Sequence, residues 1–405
     1  MNMYNIFVFC TIACFMHLSS GETFIPFSAQ CPSQLNQSTS ARNVSVLNLS
    51  GGSFKTRYYE CFKHYNQIQV LLLNSSNLET VENSAFSNIV HLNQLYLHDN
   101  RLTEFPSKPM ASLTLLQVLV ISNNSIKEIK SDAFQSLHEL RELYLGPQLQ
   151  LQDFQYQALL PLKKIKVLIL KGLSLTYVPV INQMRLLQEL DLSDNKIDRV
   201  LSQYFSELAR LQILRLSGSG ITFISKTAFR SQKNLKLLDL SGNELATLSE
   251  ETLNPIVWSA GGAVDINLTQ NPFHCDANMC ALKKWLEIVK IQVDMMCENP
   301  KRLRGHQVAQ LSLVHFNCSK VSTLPFLTKA SPVNKTDLTD SFLGKGTTGI
   351  IVVAAAAPIL LLLSAMCLLS LKSRQQPFLS RFCEFNKGEA ARGPREEPEA
   401  SYFLV

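Results

Sequence analysis

An α/β solenoid of about ten stacked repeats, with a parallel sheet along its concave side, follows from three observations on this chain of 405 residues. The pattern L-x-x-L-x-L-x-x-N-x-L recurs with openers at Val44, Ile68, Leu92, Leu116, Leu140, Ile165, Leu187, Leu211, Leu235 and Ala263. Successive openers are 24, 24, 24, 24, 25, 22, 24, 24 and 28 residues apart. Cysteines bracket the array, with Cys31 and Cys61 before it and Cys275, Cys280, Cys297 and Cys318 after it.

A repeat of this length cannot bury its apolar face alone, whereas stacked neighbours share a continuous core. Period and consensus together are the mark of a leucine-rich-repeat solenoid, or horseshoe. In the third repeat Leu92, Leu95, Leu97 and Leu102 point inward. Asn100 follows the short strand, where an amide satisfies backbone groups of its own and the adjoining coil. Asn124, Asn195, Asn243 and Asn271 repeat that role. Ala85-Phe86, Ala133-Phe134 and Ala228-Phe229 are small-plus-aromatic pairs suited to filling the convex side. Two repeats depart from the rule: Gln148 replaces the asparagine in the fifth and Leu173 in the sixth. Such irregularity marks a change of curvature, a ligand site or simple drift.

The remaining elements take their places around the array. Residues 1–21 read as a signal peptide, with an apolar run from Ile6 to Met16 and small residues at Ser19 and Gly21. The N-terminal cap and first repeat occupy 22–66, the following repeats 67–273, a cysteine-rich cap 274–320 and a stalk 321–346. Residues 347–371 form 25 uncharged positions, enough for one transmembrane helix. Lys372, Arg374 and further basic residues in 372–405 predict a cytosolic tail and a type I plasma-membrane topology. Eight N-x-S/T glycosylation sequons, at Asn36, Asn43, Asn48, Asn74, Asn123, Asn267, Asn317 and Asn334, all fall on the side assigned as extracellular. Six cysteines lie on that side, an even number in an oxidising compartment, so disulfides are expected. The same chemistry weighs against a metal site at His274, Cys275 and Cys280.

The formal charge of +6 divides into +1 in the tail, from six basic and five acidic residues, and +5 before it. Spread over the ectodomain, +5 does not call for a nucleic-acid partner. The cluster at 301–306, KRLRGH, is either a solvated loop or a polyanion site. His64, His91, His138 and His315 have no matched nucleophile or ligand spacing, so the chain is read as non-enzymatic, without cofactor or metal.

The segment NPFHCDANMCALKKWLEIVK, continued by Cys297 and Cys318, resembles the cysteine-capped C-terminal flank of extracellular leucine-rich-repeat proteins. That resemblance covers about residues 31–320 and implies the pairings Cys275–Cys297 and Cys280–Cys318. The chain departs from the family in having four residues between Cys275 and Cys280, and two N-terminal cysteines rather than four. The ectodomain is similar to those of Toll-like receptors and leucine-rich-repeat adhesion receptors. A tail of 34 residues is too short for the cytosolic signalling domain of the former.

On each strand, repeat positions 3 and 5 point away from the core. Repeats two to six thereby present Val70, Leu72, Tyr96, Val118, Val120, Tyr144, Val167 and Ile169, a candidate ligand-binding patch. Strand propensity alone would also select these residue types. Glycans at Asn48 and Asn267 would border the patch at either end. The terminal Tyr402, Phe403, Leu404 and Val405 fit either a PDZ ligand or an endocytic adaptor signal, or neither. The sequence thus predicts a cell-surface receptor or co-receptor, of innate-immune type, that binds an extracellular protein or microbial ligand and signals through partners, with homodimerisation open. The alternatives are an adhesion protein and an auxiliary subunit of a membrane channel complex.

Overall fold

The computed structural model describes residues 45–52, 62, 65–259, 264–291 and 293–318, all within one compact unit, Met1–Leu324. Each repeat contributes one three-residue strand: β1 Val46–Asn48, β2 Val70–Leu72, β3 Gln94–Tyr96, β4 Val118–Val120 and β5 Glu142–Tyr144. The series continues with β6 Val167–Ile169, β7 Glu189–Asp191, β8 Ile213–Arg215, β9 Leu237–Asp239 and β10 Asp265–Asn267. The ten strands form one parallel sheet in chain order. Register is strict, as in Leu95 opposite Leu119 and Leu143 opposite Leu168, so equivalent repeat positions stand side by side. The central residue of each strand is buried, from Leu47 through Ile266.

The convex side closes with turns and short helices. Phe86, Phe134, Phe205 and Phe229 are fully buried there beside Ala85, Ala133 and Ala228. Phe205 stacks on Phe229 with centroids 6.2 Å apart, which links successive repeats through their rings. The 28-residue ninth interval holds a ten-residue helix, α1 (Glu250–Ser259), where the described shorter repeats have turns or helices of at most four residues.

The asparagine ladder is more varied than the consensus. Asn124 Nδ2 donates to the carbonyls of Leu97 and Ile121 at 3.0 and 2.9 Å. Gln148 does the same for Ile121 and Leu145, at 2.9 and 2.6 Å, and is buried. Ser76 and Ser219 occupy this place in the second and eighth repeats, and each hydroxyl donates to the preceding coil, at Leu49 and Leu192. Leu173 brings no amide. Asn195 on the next coil accepts from the backbone of Leu173 and Leu175, both at 3.0 Å, and its Nδ2 donates to the Leu170 carbonyl at 3.0 Å.

The C-terminal cap packs α2 (Cys280–Val289) over the last repeat. Cys275 is bonded to Cys297 and Cys280 to Cys318. Trp285 Nε1 donates to Asn254 Oδ1 at 2.9 Å, joining α2 to α1. Lys283 is buried, its ammonium donating to the Ala309 carbonyl at 3.1 Å and facing Glu287 at 3.3 Å.

One expectation is corrected. Among the described residues no helix is long and apolar enough to cross a membrane. The two longest, α1 and α2, have ten residues each, about 15 Å of helix against roughly 30 Å of hydrocarbon. The fold described is thus a leucine-rich-repeat solenoid with a parallel sheet and disulfide closure, without the transmembrane helix. The type I topology, plasma-membrane placement and cytosolic tail derived from that helix are withdrawn with it. Residues 347–371 lie outside the described residues, as do 1–21, Cys31, Cys61, Asn36, Asn43, Asn334, 321–346 and Tyr402 to Val405.

Candidate functional site

The concave sheet places repeat positions 3 and 5 in two parallel rows. Position 5 runs Leu72, Tyr96, Val120, Tyr144, Ile169 in register over β2 to β6. Position 3 runs Val70, Gln94, Val118, Glu142, Val167 beside it. Seven of the eight expected patch residues are half-buried and Tyr96 is buried. The sequence reading had them facing solvent. Strands only about 4.8 Å apart let neighbouring side chains cover each other's flanks.

Both tyrosines are tied to their own strands. The Tyr96 hydroxyl donates to Gln94 Oε1 at 3.0 Å and the Tyr144 hydroxyl to Glu142 Oε2 at 3.2 Å. Burial, then the Glu142 carboxylate, pushes both phenols above their ordinary pKa, so both stay neutral donors. His98 lies edge-on to Tyr96, with centroids 6.3 Å apart, and burial lowers its imidazole pKa against the opposing pull of Asp99. Gln94, Glu142 and His98 were absent from the expected site. Their signal was available, since Gln94 and Glu142 alternate with the named residues on the same strands and His98 lies two residues after Tyr96.

Past β6 the face changes character. Glu189 and Arg215 form an ion pair across β7 and β8. Asp191 and Asp239 accept from the backbone of Ser193 and Ser241, at 2.9 and 3.1 Å. At the two ends of the sheet, Asn48 and Asn267 are half-buried, with Oδ1 accepting from Ser50 and Thr269. Asn74 is half-buried, while Asn123 and Asn317 are exposed.

The other candidate sites resolve differently. Cys275 and Cys280 are consumed in disulfides, so the trio with His274 has no thiolate to offer a metal. Among the described residues no group of three or more His, Cys, Asp or Glu is placed to hold one. In the 301–306 loop Arg304 pairs with Glu298 and Arg302 donates to the His315 carbonyl at 2.9 Å. Gln232, unremarked in the sequence, is fully buried and donates to the Phe205 carbonyl at 2.6 Å. It stands at the repeat position that Leu208 and Ile256 fill in the adjoining coils.

Fold and face define a leucine-rich-repeat solenoid closed at its C-terminal end by two disulfides. Leucine-rich-repeat family models match residues 90–147, 114–175, 186–208 and 209–256. The chain is 36% identical over 53 residues to human chondroadherin-like protein, a match spanning 13% of this chain and 7% of that protein. Among solved structures it is similar to a chain of the mouse RP105/MD-1 complex, with TM-score 0.55, 23% identity, and coverage of 66% of this chain and 50% of that one. It is also similar to a chain of the octameric complex of Latrophilin 3, Unc5D and the FLRT2 leucine-rich-repeat domain, with TM-score 0.58, 20% identity and coverage of 73% and 94%. At these identities the likeness is one of fold.

Proposed function

We propose that this domain is an extracellular receptor or co-receptor module whose concave face, over β2 to β6, holds a protein partner. The observation that carries the reading is the in-register row Leu72, Tyr96, Val120, Tyr144 and Ile169, a run of apolar and aromatic side chains on the concave face, outside the core cluster. Tyrosine is a frequent interface anchor, and rings already held in place lose little freedom on binding. The fold supports the same reading: its neighbours were solved as a complex with MD-1 and as part of an assembly with Latrophilin 3 and Unc5D. An innate-immune role and an adhesion role both use such a face, and the identity of the partner selects between them.

The test is a binding screen with the purified chain against a library of extracellular proteins, repeated with the Tyr96→Ala/Tyr144→Ala double variant. An anchor cut to alanine typically costs about 2 kcal/mol, so the double variant should secrete normally and lose binding. Asp239→Ala, beyond the row, should bind nearly as the parent does. Unchanged affinity of the double variant would place the site elsewhere.

A further inference from the structure

We infer that the partner presents a lysine or arginine next to an apolar side chain, the apolar group seated on Val120 between Tyr96 and Tyr144 and the cation on the carboxylate of Glu142. The inference rests on the concave-face reading proposed above.

Tyr96, Val120 and Tyr144 stand in register on three adjacent strands. Their strands are therefore about 9–10 Å apart, two strand spacings, with a single valine between the two tyrosines. The place on Val120 between the two tyrosines is the slot that the apolar side chain would take. Hydrogen bonds to Gln94 and Glu142 hold both walls before anything arrives.

Glu142 gives the slot its polarity. Of the outward residues on β1 to β6, from Val46 and Asn48 to Val167 and Ile169, it alone carries a charge. Its neighbours on either side are Val118 and Val167. None of the ion pairs among the described residues includes it. Arg141 precedes it on the flank and is exposed, and Arg215 is engaged by Glu189.

A wholly apolar partner would strip water from this carboxylate and leave it the Tyr144 hydroxyl alone, and a buried unpaired charge is strongly unfavourable. A cation supplies the missing partner. An anion would meet Glu142, and further along Asp191, Asp239 and Asp265, with like charge.

The probe is a random twelve-residue peptide display library panned on the purified full-length chain, with depletion on the Tyr96→Ala/Tyr144→Ala variant. The selected peptides should carry Lys or Arg within a few residues of an aromatic or aliphatic side chain. Glu142→Gln, which keeps an acceptor for Tyr144, should weaken them about thirtyfold, and Glu142→Lys should turn selection toward acidic peptides. Thermal melting of each variant checks that the fold is kept. Peptides that depend on the tyrosines yet show no basic bias and ignore Glu142→Gln would overturn the charge inference and leave the face standing. A library yielding no tyrosine-dependent peptide would overturn the reading of the face, and this inference with it.

Discussion

Gln148 and Asn124 stand opposite one another as a parallel bridge on adjoining coils, and their side-chain amides share one acceptor, the carbonyl of Ile121, at 2.9 Å from each. A glutamine thus continues the ladder where the consensus asparagine is missing. The added methylene reaches across the coil that follows Gly146 and Pro147, and Oε1 still accepts from the backbone of Ile126 at 3.3 Å.

Gln148→Ala should therefore lower stability as the loss of an asparagine elsewhere in the ladder would. It leaves the Leu145 carbonyl and the Ile126 amide without the bonds they make now. Each unsatisfied buried group costs about 1–3 kcal/mol, so a loss of about 3 kcal/mol is expected in chemical denaturation. A change below about 1 kcal/mol would show that the coil rearranges to satisfy itself.

Ser219 offers the contrast. Its hydroxyl makes one strong contact across the coils, to Leu192 at 3.0 Å, while Asn243 serves the backbone of Ser219 and Ile221 from the next coil. Ser219→Ala is expected to cost about 1 kcal/mol, clearly less than Gln148→Ala in the same measurement.

His98 sets an acid sensitivity. Its folded pKa lies below the ordinary value of 6.5 because burial disfavours the imidazolium. As pH falls below 6.5 the unfolded chain takes up the proton first, so the contribution to stability is full above that value and declines below it, toward the folded pKa. Melting temperature between pH 7.5 and 5.0 should fall less in His98→Gln than in the parent. Equal falls would remove His98 as the cause.

The cap disulfides predict a graded loss on removal. Cys275–Cys297 closes 22 residues and Cys280–Cys318 closes 38. Either cysteine pair replaced by serine should cost about 2–5 kcal/mol and lower secretion, because α2 and Trp285 cover the apolar end of the solenoid. Unchanged melting of both variants would show that helix packing alone holds the cap.

Much of this was legible because a repeat solenoid is local. Val118, Leu119 and Val120 sit where the spacing puts them, since each coil contacts only its neighbours and a shift of one residue would turn leucines to solvent. The concave rows were legible for the same reason. Gln148 was visible as an exception but its role was not, because its acceptors on two coils lie 27 and 3 residues back. Ser76, Ser219 and Gln232 passed unnoticed, as small or polar residues that give no periodic signal.

The sequence by itself determined the number of coils, the register of the sheet and which side chains face outward, because those follow from period and alternation. Only the tertiary structure decided how far water reaches each outward side chain and how far its cross-strand neighbours cover it. Those properties belong to side chains brought together from strands 24 or 25 residues apart, and no single repeat contains them.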